Sequence, residues 1–174
     1  MKKISIVFLV VIMLSGCDVL DKLTVFNIPV SETIEIKSTV PINTPFDIPT
    51  PPISLNTKST FDTNNTNKDL IQEISLSSLT MTVIDPAGED FSLLESIEIY
   101  IKAEGEEEEK IAWLNPVPAQ SSVTLELSNS DLKRFILKDS IELRVKTKTD
   151  EVNTRTYKIK IDAKFKVNAK ILGV

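Results

Sequence analysis

Apolar and polar residues alternate with period two along most of this chain, and the clearest run is near its C-terminus. Tyr157, Ile159, Ile161, Ala163, Phe165, Val167, Ala169 and Ile171 share one phase, while Lys158, Lys160, Asp162, Lys164, Lys166, Asn168 and Lys170 share the other. No helical wheel separates these sets, so the run predicts a strand with one buried face. It is far longer than the usual strand of about 5–6 residues, so a bend or bulge is expected within it. Ile141, Leu143 and Val145 alternate with Glu142, Arg144 and Lys146 just upstream. The polar stretch 149–154 reads as a hairpin turn in which Asn153 tolerates a left-handed backbone. The two runs are therefore expected to pair side by side, which would place Arg144, Lys146 and Lys148 next to the lysines of the last strand.

The same pattern recurs upstream. Ile97, Ile99 and Ile101 alternate with Glu98, Tyr100 and Lys102, and Ile111-Ala112-Trp113-Leu114 follows the acidic stretch Glu104–Glu109, predicting a hairpin with a charged tip. Val123, Leu125 and Leu127 mark another strand. The stretch 128–137 suits one short helix, with Ser130 as its N-cap and Asp131 in its first turn. Ile74 and Leu76 are out of phase with Leu79, Met81 and Val83, so a β-bulge is expected near Ser77-Ser78 to keep both sets facing the core. Asp85-Pro86-Ala87-Gly88 is a turn. Residues 23–30 and 33–40 predict a first strand pair. The Pro-, Thr- and Asn-rich segment 41–67 is too long for a structureless loop in a compact domain. Around Phe46–Leu55 an extended edge segment, where prolines are tolerated, competes with a mobile loop.

Seven or eight strands with regular turn punctuation and at most one or two short helices indicate an all-β fold. The expected form is an antiparallel β-sandwich, immunoglobulin-like in architecture, with an open barrel as the runner-up. No internal repeat is visible.

Composition sharpens this picture in three places. The 174 residues contain four glycines but nine prolines and many Asn and Asp, so turns lean on the latter. The chain has one cysteine, which forbids an internal disulfide, and no histidine. Without histidine, His-dependent triads and the usual zinc sites are excluded. Net charge is −5, which argues against a nucleic-acid partner.

At the N-terminus, Lys2 and Lys3 precede Ile4–Leu14, eleven residues that are apolar except for Ser5. As a helix this stretch spans about 16 Å, too short to cross a hydrocarbon core of about 30 Å. Ser15, Gly16 and Cys17 follow. Leu14-Ser15-Gly16-Cys17 resembles the lipobox of bacterial lipoproteins, in which small residues precede the modified cysteine. The resemblance covers only residues 1–17. It implies cleavage before Cys17, a diacylglyceryl group on its thiol and, in many such proteins, an acyl chain such as palmitate on the new amino group. Two or more chains hold firmly to a membrane, at ~0.8 kcal/mol per buried CH₂, where one holds only marginally. A plain secretory signal with a cysteine near the cut is the competing explanation. In some lipoprotein sorting systems an Asp after the cysteine marks inner-membrane retention, but the rule differs between bacterial groups, so Asp18 leaves the membrane open. The expected layout is a signal at 1–16, a lipidated tether at 17–22, and a single β-sandwich domain at 23–174.

Candidate chemistry is sparse. Glu104–Glu109 holds five carboxylates around one glycine and invites a calcium ion, but it lacks the spaced Asp/Asn pattern that wraps a chain around a cation. A solvated tip is the simpler expectation, and the same holds for Asp85, Glu89 and Asp90 around Gly88. No metal or cofactor is expected. Trp113 could stack on sugars with Tyr100 and Tyr157, but at alternating spacing in a strand it is expected in the core. There is no phosphate loop, nucleophile elbow, HExxH or CxxC. Lys158, Lys160, Lys164 and Lys166 form a basic stripe suited to a polyanion such as a lipid headgroup layer or polysaccharide. The competing role for such lysines is to guard a sheet edge against aggregation. The expected function is therefore a lipid-anchored, non-enzymatic binding or scaffolding protein of the cell envelope, with an envelope protein or glycan as partner. A small carboxylate-dependent hydrolase of envelope sugars and a purely structural spacer are the alternatives.

Overall fold

The computed structural model describes residues 25–38, 40, 42–149 and 151–171; the expected signal, Cys17 and the tether lie outside them. Ten strands run in the order β1 (Val25–Ile36), β2 (Phe46–Pro49), β3 (Ile53–Ser54), β4 (Ile71–Asp85), β5 (Leu94–Lys102), β6 (Glu109–Leu114), β7 (Ser122–Thr124), β8 (Glu126–Leu127), β9 (Ser140–Thr149) and β10 (Tyr157–Ala169). They form two packed antiparallel sheets, an all-β sandwich. The first has strand order β1-β10-β4-β7, and the second β2-β9-β5-β6-β8 with β3 also on β9. Among the described residues there are two short α-helices, α1 (Thr57–Thr63) and α2 (Lys133–Ile136). Between the sheets, Phe165, Ile159 and Ile161 of β10 meet Ile97, Ile99 and Ile101 of β5 and Leu143 and Val145 of β9 in one continuous core. Each such side chain contributes about 1.5–3 kcal/mol by leaving water.

The period-two phases decide the strands. In β10 every apolar residue from Tyr157 to Ala169 is buried, with no break in phase. The irregularity expected in this long strand falls instead on its partner. β4 inserts an extra residue at Gln72, Ser77 and Ile84, where the register against β10 shifts. The bulge at Ser77 lies where the phase conflict predicted it. Leu76 faces Phe165 and Ser78 faces Lys164, leaving Ser77 unpaired in the ladder. Its hydroxyl donates to the Lys164 carbonyl (2.9 Å). Residues 46–55 are an ordered edge segment, as the proline pattern allowed: β2 and β3 both pair with β9.

Four expectations are corrected. The first strand pair is one strand, because Ile28, Val30, Ile34 and Ile36 keep the same phase and Ser31-Glu32 makes no turn; β1 pairs with β10 along its whole length. β9 and β10 are not a hairpin. The connection at 150–156 crosses from one sheet to the other, held by the buried Asn153, whose side-chain amide donates to the Lys37 carbonyl (2.9 Å). The left-handed asparagines are instead Asn43 and Asn65. The helix in 128–137 is confined to α2, with the Asp131 carboxylate, rather than Ser130, accepting the Lys133 N–H (3.0 Å). It also takes the Ile74 N–H (3.0 Å), tying the helix to β4. No expectation covered α1: its single apolar residue, Phe61, offers no helical period to read.

The sides of the sandwich differ. Chain 121–132 closes one, with Val83 N–H donating to Ser121 (2.9 Å), Leu125 to Leu79 (3.0 Å) and Leu132 to Ile74 (2.6 Å), while β7 and β8 pass from the first sheet to the second. On the other side β1 is an edge. Pro29 offers it no donor, and the Thr33 N–H, in the same phase, is taken by the Glu32 carboxylate (3.2 Å). Both devices blunt strand addition.

The bulge makes a sharp prediction. Deleting Ser77 joins Leu76 to Ser78 and leaves both apolar sets of β4 inward, so the chain should keep a cooperative urea transition. Deleting Thr80 can be absorbed only by giving up the bulge, which turns the buried Leu79 out and Ser78 in, so this variant should lose about 2–5 kcal/mol more stability than the Ser77 deletion. Fluorescence of Trp113 follows both; equal effects would refute this account of the bulge.

Candidate functional site

On the outer face of the first sheet, β10 is an interior strand, with β1 on one side and β4 on the other. Its lysines therefore guard no edge. Lys160 sits between Thr33 and Thr82, Lys164 between Pro29 and Ser78, and Lys166 between Asn27 and Ser75. Only Lys158 has acids in register, Glu35 and Asp85. Among the described residues, Lys158, Lys164 and Lys166 make no salt bridge, and Lys160 pairs with Asp162 on its own strand (3.0 Å). The flanking columns are rich in hydroxyls, Ser31 and Thr33 on β1, Ser75, Ser78, Thr80 and Thr82 on β4, and Ser122 on β7, whose oxygen meets that of Thr82 at 2.9 Å; Glu35, Glu73 and Asp85 stand toward their ends. Asp162 accepts from Lys160 and from the Ser31 hydroxyl (2.8 Å), and these bonds hold its carboxyl below the usual range.

Arg144, Lys146 and Lys148 do not join this stripe. They lie on β9, in the other sheet, and so on the opposite outer face of the sandwich. That face handles charge differently, because most of its cations are paired, Lys102 being the exception among the described residues. Lys110 binds Glu98 (3.1 Å), Lys146 approaches the same carboxylate (3.9 Å) and Lys148 binds Glu95. Arg144 bonds both Asp47 and Glu108 and lies 4.2 Å over the Tyr100 ring. The charge-assisted bond to Glu108 raises the Arg144 pKa further, and the same bond lowers that of Glu108. Partial burial pulls the Glu98 carboxyl upward, but hydrogen bonds from Lys110 and Tyr100 outweigh it and hold the group below its ordinary range. Burial and the bond to Glu98 push the Tyr100 hydroxyl up.

The acidic tip belongs to this paired surface. Three of its carboxylates reach separate cations: Glu106 to Lys138 (2.9 Å), Glu108 to Arg144 and Glu109 to Arg134 (2.7 Å). They diverge rather than converge, and among the described residues no group of acids is arranged to hold a metal ion. The second acidic turn is likewise occupied, with Glu89 accepting from Arg155 and from the Tyr157 hydroxyl (3.1 Å), and Asp90 capping the Ser92 N–H (2.9 Å).

Trp113 is outside the core, contrary to expectation. Ile111 is an extra residue in β6, between the pairs Ile99–Ala112 and Tyr100–Lys110, so Ile111 and Ala112 both turn inward and Trp113 turns out. It is half-buried, with its indole N–H on Glu126 (2.8 Å) and Lys110 5.6 Å over the ring. Tyr157 is buried. With cations over Tyr100 and Trp113, these aromatics form no free stacking platform.

A cleft of about 730 Å³ opens at the end of the sandwich between α1 and the turn at 68–70, lined by Lys58, Phe61, Asp62, Lys68, Asp69 and Asp139 among others. Its acids share the space with two lysines. Among the described residues no helix is long and apolar enough to cross a membrane. Cys17 lies outside the described residues.

In comparison with known proteins, the chain matches no family model and no curated protein. Geometry alone therefore ranks the surfaces, and among the described residues the outer face of β10 is where several lysines without a salt bridge stand side by side.

Glu98 supplies a pH test of the paired face. Its depressed pKa means that its stabilisation is complete above the unfolded carboxylate value and is lost as pH falls through the folded one. The stability difference between the wild type and Glu98→Gln should be constant above about pH 5 and shrink below about pH 4. Urea titrations across that range check it; a difference independent of pH would count against the ionised hub.

Proposed function

We propose that this chain is a lipid-tethered, non-enzymatic binding module of the bacterial cell envelope, and that it engages a polyanion through the outer face of β10. The observation that carries this is the contrast between the two faces. The protein is acidic overall and pairs Lys110, Arg144, Lys146 and Lys148 across β5, β6 and β9, yet among the described residues Lys158, Lys164 and Lys166 make no salt bridge on an interior strand. Solvent-exposed charges left in that state set up a local positive potential that steers an anionic partner.

The tether rests on the lipobox-like stretch ending at Cys17. Eight residue steps separate Cys17 from Val25, a reach of at most about 28 Å at ~3.5 Å each. Val25 pairs with Asn168, so the chain enters beside the C-terminal end of β10. A tether attached there would hold the sandwich near the bilayer by one end. The outer face of β10 then runs away from the headgroups, presenting its lysines along the sandwich.

Two measurements test this on full-length protein extracted from bacterial membranes. Intact mass should give a chain that begins at Cys17 and carries diacylglyceryl; a chain that begins at Met1 with a free thiol would refute the tether. Binding to long-chain polyphosphate, a linear polyanion without hydroxyls, should be salt-sensitive. It should be lost when Lys158, Lys160, Lys164 and Lys166 are all changed to Gln. The control variant, with Lys110, Lys138, Lys146 and Lys148 changed to Gln, should bind as the wild type does. Unchanged binding by the first variant would refute the role of this face.

A further inference from the structure

From the interruption in the lysine column, and resting on the polyanion reading above, we infer that the natural ligand is an acidic polysaccharide, with Asp162 and its flanking hydroxyls taking an uncharged part of the sugar chain between two lysine pairs.

The column is not uniform. Lys158 and Lys160 form one pair and Lys164 and Lys166 another, each pair about 7 Å apart because same-face residues in a strand are two steps of ~3.4 Å. That spacing is wider than the distance between neighbouring phosphates joined through one oxygen, and it suits charges separated by a ring-sized unit. Asp162 stands between the pairs, on the same face and 44% exposed. For a polymer that offers only negative charge, this carboxylate is a defect, repelling the chain at the centre of its track. For a sugar chain it is an acceptor, since a carboxylate takes hydroxyl donors in charge-assisted bonds.

Its surroundings fit the second case. Asp162 lies in a shallow depression of about 410 Å³ lined by Pro29, Ser31, Ser78, Thr80 and Lys164. One carboxylate, three hydroxyls and one ammonium give both donors and acceptors, the mixture that sugar hydroxyls require. The hydroxyl columns continue to Thr82 and Ser122 on one side and Thr33 on the other. A bilayer surface fits less well. Among the described residues the large exposed hydrophobics of this sheet are Val25 and Ile84, at its two ends, and the face between them adds only the small ring of Pro29.

Asp162→Ala separates the ligands by the sign of its effect. On the full-length protein, affinity for oligogalacturonate of defined length should fall by at least about threefold, the worth of a modest hydrogen bond. Affinity for polyphosphate of matched charge should rise, because a repulsive charge is gone. A rise for both ligands would overturn the inference while leaving the polyanion reading intact. A double variant, Ser78→Ala with Thr80→Val, should weaken oligogalacturonate and leave polyphosphate unchanged; equal binding of oligogalacturonate by this variant and the wild type would also overturn it. So would tighter binding to phosphatidylglycerol vesicles than to oligogalacturonate, which would assign the face to lipid. If the four-lysine Gln variant keeps its polyphosphate binding, the polyanion reading itself fails. Trp113 fluorescence, from the opposite face, reports that each variant is folded.

Discussion

The sandwich closes on the apolar face of β10. From Tyr157 to Ala169 each inward side chain of this strand is buried, and its neighbours β1 and β4 are themselves long strands. A strand with this strict alternation has no freedom of phase, because a slip of one residue would bury lysines and expose Phe165 and Ile161. β4 therefore accommodates β10 by adding residues at Gln72, Ser77 and Ile84, which keep Ile71, Ile74, Leu76 and Val83 inward. The lysine face follows from the same constraint. Once the core fixes Phe165 and Val167 inward, Lys164 and Lys166 can only point out, held on a backbone braced from both sides.

Charge is divided between the two faces in a way that stability does not demand. Exposed salt bridges are each worth about 0–1 kcal/mol, so the pairs across β5, β6 and β9 contribute little to folding. Their larger consequence is electrostatic. Pairing Lys110, Lys146 and Arg144 with Glu98, Asp47 and Glu108 cancels the field over that face. Lys164 and Lys166 on β10, whose cross-strand neighbours Pro29, Ser78, Asn27 and Ser75 are uncharged, keep theirs. In a protein with net charge −5 the open positive charge of this face is centred on Lys164 and Lys166, and the acidic remainder discourages anions from binding elsewhere.

Local pattern was legible in the sequence, and strand order was not. The phase of β10, the bulge at Ser77 and the extended segment at 46–55 all follow from residues within a few positions of one another. The side-by-side placing of Arg144 and the C-terminal lysines required knowing which sheet each strand joins, and a polar connection such as 149–154 serves a hairpin or a crossing equally well. The same gap leaves edge guarding open in the sequence as a competing role for the β10 lysines, and only β1 on its far side removes it. Trp113 escaped for a smaller reason. The extra residue Ile111 leaves no mark in the sequence, because Ile111 and Ala112 are both apolar and either phase reads plausibly. The site itself was half visible: the lysines were, but Ser31, Ser78 and Thr80 reach Asp162 only through pairings far apart in the chain.

A face of this kind sets limits on how it can work. Lysine side chains lose about 0.5–1.5 kcal/mol each when immobilised, so four of them on an open sheet give modest affinity for any single segment of polymer. Two features offset that cost. The backbone beneath is fixed by hydrogen bonds to β1 and β4, so only side chains need to order. A tether confines the module to a thin layer above the membrane, where a long polymer presents many equivalent segments, and linkage raises the effective concentration of each. Weak, repeated contact suits such an arrangement better than one tight site, since it holds a polymer near the membrane while letting it slide. The open, shallow form of the depression at Asp162 fits that mode, because an enclosed pocket would admit a chain end but not the interior of a continuous chain.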